Sequence, residues 1–382
     1  MPVLSKSAQS LRPSVFATLA ERMKQLPADH LPLHIGDTFR LPPEASRLES
    51  IDWAPLAPLY KYTHPFGLAP FLEVLLEKVK SKNQIPAEPV CLQVSCGATG
   101  GLASAASTLF DPGDEVLVLA PFWPLIVGIL RTAGAEPHQV QFSNHLLADP
   151  DFDIEAHLEA HCGSATRGLY FSNPNNPDGL VYTPEQLERV ASFCRRKGLW
   201  VLSDEAYEDY IYDGRPHTSI AALPGMFERT VTVFTFSKSY AMAGLRLGYV
   251  VAPPEVSPAL RRVSNHQIYN LSGAVQHAGM LAVQTGAEFL EESKRLYAPA
   301  RDVLHQATAK YGHKPGGGGY VFLDLGSEEE SWDFIHRAMD RGLCSAPGEA
   351  FGHDYKHCVR ICFTAAPLEG IQRAATLLGE LL

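Results

Sequence analysis

A chain of 382 residues, 46% hydrophobic and 19% charged, is long enough for two or three packed domains and has the composition of an ordinary globular protein. Its net charge of −10, with a pI near 5.8 and no basic cluster beyond Arg195-Arg196-Lys197, argues against a nucleic-acid surface. The N-terminal stretch is broken by Lys6, Arg12, Pro13, Glu21 and Arg22, and the longest uncharged apolar run, 116–130, is too short to span a bilayer and is interrupted by Pro121 and Pro124. Neither a signal peptide nor a membrane span is expected, and the location read from this is cytoplasmic.

An amphipathic stretch over 14–24 leads to Leu31-Pro32-Leu33-His34-Ile35-Gly36-Asp37, which reads as a short strand ending where backbone comes close to something. Tyr60 to Gly67 precedes a helix over 70–82, with Phe71, Leu72, Val74, Leu75 and Val79 on one face. Residues 90–94 read as a strand, followed by the glycine-rich turn Ser95-Cys96-Gly97-Ala98-Thr99-Gly100-Gly101 and a helix over 102–110. Strand, turn and helix in that order present amides and a helix dipole to an anion, although helix-on-sheet packing would use the same glycines. A turn at Asp111-Pro112-Gly113-Asp114 and a strand over 115–120 run into Pro121-Phe122-Trp123.

A strand over 168–171 enters Ser172-Asn173-Pro174-Asn175-Asn176-Pro177-Asp178-Gly179, where two Asn-Pro pairs impose a shaped loop, and a helix follows over 184–197. The apolar strand 199–202 delivers Ser203-Asp204-Glu205-Ala206-Tyr207 to the edge where α/β sheets bind ligands. The strand 230–236 then delivers Lys238 among small and polar neighbours. An ammonium there is costly unless it is paired, neutralised or used chemically, the bland alternative being a lysine that snorkels to water. Eight residues on, Arg246 offers a planar fork suited to a phosphate, between Gly244 and Gly248. Beyond a strand to 252 come a largely helical run over 257–311, a four-glycine turn at Gly316 to Gly319, a strand over 320–325, a helix over 331–341 and an apolar strand over 358–363. Arg360 inside that last strand must find an anion or carbonyls. Seven scattered cysteines contain no C-x-x-C pair, so no metal site is expected and a reducing compartment is.

These motifs in this order resemble the class I/II aminotransferase family, the aspartate aminotransferase-like enzymes of fold type I that use pyridoxal 5'-phosphate (PLP). Thr235, Ser237, Lys238, Gly244, Arg246 and Gly248 fall in step with S-x-S-K-x-x-x-x-x-G-x-R-x-G, and Asn173 to Gly179 with N-P-x-N-P-T-G, Asp178 standing for the threonine. Asp204 and Tyr207 match D-x-x-Y, and Tyr62 and Gly67 match Y-x-x-x-x-G. The resemblance implies that Lys238 holds PLP as a Schiff base and moves the substrate proton, that Asp204 meets the pyridine nitrogen, and that Tyr207 and Asn176 meet the phenolic oxygen. It implies that Trp123 stacks on the ring, and that Ala98, Thr99, Thr235 and Arg246 bind the phosphate with Tyr62 of a second subunit, in a homodimer. Arg360, Gly36 and Asn176 would bind the substrate. Some of these residues also have structural readings: Gly36 as a turn glycine, Tyr62 as packing ahead of a helix, Trp123 as buried at a sheet edge, and Arg360 as paired with one of the protein's own carboxylates. The chain departs from the family's G-x-P-D-F at Asp37-Thr38-Phe39.

The implied fold is α/β, a large PLP-binding domain over 46–286 with a mostly parallel seven-stranded sheet between helices, and a small α+β domain from 1–45 and 287–382. The implied activity moves an amino group from an L-amino acid to a 2-oxo acid. A lyase, decarboxylase or cyclising enzyme would share every motif. A non-catalytic regulator of the same fold would need a DNA-binding extension, which the residues before His34 do not supply. No second arginine can be assigned to a distal substrate carboxylate.

Overall fold

Two sheets organise the chain in the computed structural model, which describes residues 3–11, 15–56, 60–326 and 330–382. The first has seven strands: β1 (Leu92–Cys96), β2 (Glu115–Ala120), β3 (Glu136–Gln141), β4 (Thr166–Ser172), β5 (Trp200–Asp204), β6 (Thr230–Thr235) and β7 (Leu247–Val251). Their spatial order is β1-β7-β6-β5-β4-β2-β3. β3, β2, β4, β5 and β6 run parallel, and β7 lies antiparallel between β6 and β1.

Every residue of β6, Thr-Val-Thr-Val-Phe-Thr, is buried, as a parallel strand covered on both faces requires. One face is covered by the small-residue helix Gly97–Leu109, whose Leu102, Ala105 and Ala106 join Val231, Val233 and Val250 in one core. On the other face Leu187, Val190, Ala191, Phe193 and Cys194 of the helix Pro184–Lys197 pack with Leu117, Leu169 and Val201. That helix is strongly delimited in sequence. Thr183 and Gln186 form a reciprocal capping box at its start, Pro184 takes the first helical position, and Gly198 closes it in the left-handed conformation.

The second sheet is antiparallel, in the order β8 (Tyr320–Asp324), β10 (Cys358–Cys362), β9 (Ala346–Pro347). Its core takes Tyr297, Ala300 and Leu304 from the helix Ala287–Thr308, residues from the helices Ser331–Asp340 and Leu368–Leu381, and Leu31 and Leu33 from the N-terminal segment. Tyr207, Tyr210 and Tyr212, from the loop that follows β5, belong to the same core. Between those tyrosines, Glu208 and Asp209 reach the other way. They pair with Lys78 and Lys82 of the segment at the end of the helix Ala69–Ser81, with Lys82 Nζ 3.7 Å from Glu208. Burial alone would raise the Glu208 carboxyl, but Lys78 and Lys82 hold it down to about 2.

Two local expectations are corrected and a third is refined. Residues 31–35 form a single bridge, Leu31 to Leu343, and no strand, because Pro32 has no amide to donate. The glycine-rich stretch is no separate turn: the helix begins at Gly97, so Ala98 and Thr99 sit in its first turn. The helical run over 257–311 is three helices, Ser257–Gln267, Gly273–Thr285 and Ala287–Thr308, the first break carrying Tyr269 at φ 70°. Among the described residues no helix is long and apolar enough to cross a membrane.

A Cβ added at Gly248 in β7 would lie 2.6 Å from the Phe234 carbonyl oxygen and 2.7 Å from the Gly97 carbonyl carbon. Both are backbone atoms and cannot swing aside. Gly248→Ala is expected to cost about 1–3 kcal/mol of stability, as forced overpacking does, read as a lowered midpoint in urea unfolding.

Candidate active site

The carboxyl ends of β5 and β6, the first turn of the helix Gly97–Leu109 and the middle of β10 converge between the two sheets. β6 ends at Thr235, whose Oγ1 accepts the Ser237 amide at 3.2 Å and so caps the one-turn helix Phe236–Ser239. Lys238 rides on that turn. Its position is fixed from below by the Tyr210 hydroxyl, 3.0 Å from the carbonyl oxygens of both Lys238 and Ser239. Lys238 Nζ donates to the Gly36 carbonyl. Burial lowers the pKa of Lys238, with Arg360 and Arg246 adding to the fall, while the Asp37 carboxylate works against it. The amine is therefore easier to deprotonate than an exposed lysine.

Asp204 closes β5 and is buried. Its Oδ2 accepts the Tyr170 hydroxyl at 3.1 Å and its Oδ1 the Ala206 amide at 3.2 Å. Burial pushes its carboxyl up to about 6 in spite of these bonds and of the field of Lys238. It makes no ion pair among the described residues, so a cation set against it would be stabilised strongly.

Arg360, buried in β10, donates from Nη1 to Asn176 Oδ1 and from Nη2 to the His34 carbonyl, each at 2.9 Å. Its guanidinium carbon lies 4.2 Å from the centre of the Tyr320 ring and 4.8 Å from that of Phe351, and its Nε has no hydrogen-bond partner. Among the described residues no carboxylate takes it. The loop carrying Asn176 is shaped by Asp178, whose Oδ1 accepts both the Asn175 side-chain amide and the Leu180 backbone amide at 2.9 Å. The aspartate that departs from the usual threonine thus does that loop's internal bonding.

Arg246 stands in the left-handed region at φ 54°, and its Nη1 donates to the Ala243 carbonyl at 3.0 Å. Its Nη2 lies where a Cβ on Gly97 would come within 2.7 Å, so glycine at 97 admits the guanidinium beside the helix start. The amides of Ala98 and Thr99 belong to that first turn. Trp123 follows β2 and is half-buried against the core of the helix-covered face. Tyr207 hydrogen-bonds through its hydroxyl to that of Tyr320. Tyr62 stands on the surface, 82% exposed, its ring edge-on to Tyr269.

A narrow cleft at Lys238 is lined by Gly36, Asp37, Thr38, Tyr207, Tyr210, Ser237, Tyr297, Tyr320 and Thr364. Tyr170, Tyr297 and Tyr320 were not legible as site residues. Each lies in an apolar strand or helix where an aromatic reads as core, and only the parallel register of β4 and β5, which sets Ser172 beside Asp204, reveals Tyr170. The donor set fits PLP: an amine on a half-buried lysine, a buried carboxylate that no cation pairs with among the described residues, and an arginine beside a helix N-terminus.

Sheet order, crossover pattern and this lysine–aspartate–arginine set define an α/β transferase of fold type I, and the comparisons narrow it. The family profile "Aminotransferase class I and II" matches residues 31–378, and the chain belongs to that family. It is 32% identical over 344 residues to a bifunctional aspartate aminotransferase and glutamate/aspartate-prephenate aminotransferase of Petunia hybrida, covering 84% of this chain and 70% of that one. It is 29% identical to an aspartate/prephenate aminotransferase of Thermus thermophilus, covering 99% of both. The solved structure of Thermus thermophilus aspartate aminotransferase with maleate superposes with a TM-score of 0.90 at 28% identity, over 100% of both chains. The protein is an aminotransferase of a family that depends on PLP.

Glu205, next to Asp204, faces away from the cleft. Its Oε1 accepts the hydroxyls of Ser203 and Ser219 at 3.0 and 2.7 Å, and its Oε2 is 3.5 Å from His217 Nε2. Burial raises its carboxyl to about 8 and lowers His217 to about 4. Between the usual carboxylate range and pH 8 the folded state therefore holds a Glu205 proton that the unfolded chain has lost. The stability this confers is complete below about pH 4.5 and disappears as pH rises through 8. From pH 6.5 to 8.5, where His217 is neutral when folded, urea unfolding should show Glu205→Gln losing less stability than wild type, the two differing by up to about 1.4 kcal/mol per pH unit.

Proposed function

We propose that this aminotransferase carries PLP on Lys238 and exchanges an amino group between an L-amino acid and a 2-oxo acid in the cleft around it. The observation that carries the reading is the half-buried Lys238 amine, held by its one-turn helix against the Gly36 carbonyl with its pKa lowered. Bound there, PLP supplies a protonated ring that withdraws electrons from the substrate Cα.

In this reading the Asp204 carboxylate faces the ring nitrogen and keeps its proton, and Trp123 packs against the ring. Tyr207 and Asn176 donate to the phenolic oxygen. The amides of Ala98 and Thr99, the hydroxyls of Thr99 and Thr235 and the Arg246 fork hold the phosphate. Arg360, already aimed by Asn176 and His34, takes the substrate's α-carboxylate with help from the Gly36 backbone, and so turns the Cα–H bond toward Lys238. The Lys238 amine then removes the Cα proton and returns it on the other side of the exchange. An amine of lowered pKa is suited to both transfers at neutral pH.

Tyr62 completes the phosphate site from a second subunit in a homodimer, a role supported by its 82% exposure in the single chain. Residues 1–45 and 287–382 act as one domain and 46–286 as the other. A cytoplasmic location agrees with seven cysteines that are all free thiols.

The deciding experiment loads wild type and Lys238→Ala with PLP and records absorbance before and after amino acids are added. Wild type should show the near-visible band of lysine-bound PLP, lost on adding a substrate amino acid, and should form more than one equivalent of 2-oxo acid per site only while an acceptor oxo acid is present. Lys238→Ala should lack the band and fall at least about a hundredfold in turnover. A band of equal strength in both proteins, or pyruvate and ammonia without an acceptor, would overturn the reading, the latter in favour of a lyase. Arg360→Lys, which keeps the charge and loses the fork, should raise KM for the amino acid about tenfold or more in steady-state assays.

A further inference from the structure

The cleft at Lys238 is also lined by Asp37, Thr38, Tyr297 and Thr364, and a substrate held by Arg360 that reacts at Lys238 would carry its side chain past these residues. Among the described residues, Asp37 and Lys238 are the only charged ones lining that cleft. The Asp37 carboxylate is held in place by one bond, from the Thr38 amide to Oδ1 at 2.8 Å, and its backbone is pinned by the Thr364 hydroxyl, 2.7 Å from the Asp37 carbonyl oxygen. Among the described residues it makes no ion pair. The cation that feels its field is Lys238, which the proposed reading commits to PLP.

The neighbouring cation is also engaged. Arg40 donates to Ser293 Oγ at 2.6 Å and to the Phe289 carbonyl at 3.1 Å, and pairs with Glu292. Within this cleft a second carboxylate on the substrate would therefore meet a like charge and, among the described residues lining it, no cation but Lys238. An ammonium would meet a carboxylate already oriented for it.

We propose that Asp37 is a specificity-determining residue and that this enzyme takes an amino acid whose side chain ends in a cation. The inference deepens the reading of Lys238 and Arg360 and rests on it. It sets the chain apart from the dicarboxylic substrates in the names of its relatives. The exchange stays balanced: the α-nitrogen passes to the carbonyl carbon of the acceptor, one water supplies the oxygen that ends on the donor's Cα, the acceptor's oxygen leaves as water, the donor's oxidation by two electrons matches the acceptor's reduction, and the distal ammonium is untouched.

The test uses full-length, PLP-loaded protein and follows single-turnover absorbance with lysine, with norleucine as its neutral analogue of equal chain length, and with aspartate. Lysine should react at least about tenfold more efficiently than norleucine, with aspartate the slowest. In Asp37→Asn the lysine-to-norleucine ratio should fall about tenfold. Two results overturn the inference while leaving the Lys238 reading intact: aspartate reacting best, or a ratio unchanged by Asp37→Asn. If aspartate reacts best and Lys61→Ala removes that preference, the exposed segment beside Tyr62 supplies the cation from a second subunit and Asp37 is not the determinant. Should Asp37→Asn fail to fold, the wild-type ranking alone decides. A spectrum that no amino acid alters overturns the Lys238 reading and this inference with it.

Discussion

The structure depends on the cost of keeping charged groups out of water at the mouth of a parallel sheet. Lys238, Asp204 and Arg360 are each removed from bulk solvent and each left with incomplete partners: a carbonyl for the lysine, a phenol and an amide for the aspartate, an amide oxygen and a carbonyl for the arginine. Isolated charges in such a place would normally shift to neutrality or find counter-ions. Here the neutral donors and acceptors orient the groups without cancelling them. What remains is a set of oriented groups with defined signs, which in the proposed reading an amino-acid substrate and PLP would complement.

The scaffold makes that arrangement affordable. Strands buried on both faces bring their carboxyl ends to one line, so residues far apart in sequence, such as Asn176, Asp204 and Lys238, meet without long loops. Close backbone approach is needed where β7 passes the start of the helix Gly97–Leu109, and the glycines at 97 and 248 provide it. Arg246 can then enter beside the helix terminus from its own left-handed turn.

Most of this plan was legible because apolar runs, glycine punctuation and a few chemically odd residues coincide. β2, the helix Pro184–Lys197 and the lysine turn all carry local signals strong enough to mark their ends. β3 was not recognised: Glu-Pro-His-Gln-Val-Gln lies at the sheet edge with only Val140 fully buried, so neither alternation nor an apolar run marks it. The early start of the helix at Gly97 was hidden because glycine has low intrinsic helix propensity and tertiary packing overrides it. Tyr170, Tyr297 and Tyr320 were hidden for the opposite reason. They pack as core residues over most of their surface and show their function only through the hydroxyl tip.

The loop after β5 has one more consequence. Its tyrosines 207, 210 and 212 are rooted in the core of the three-stranded sheet, and Glu208 and Asp209 between them are tied to lysines beside the seven-stranded one. The segment works as a rivet through both bodies. Neither core can loosen at this segment without breaking the buried Lys78–Glu208 pair or exposing three tyrosines, which couples the stability of the one to that of the other.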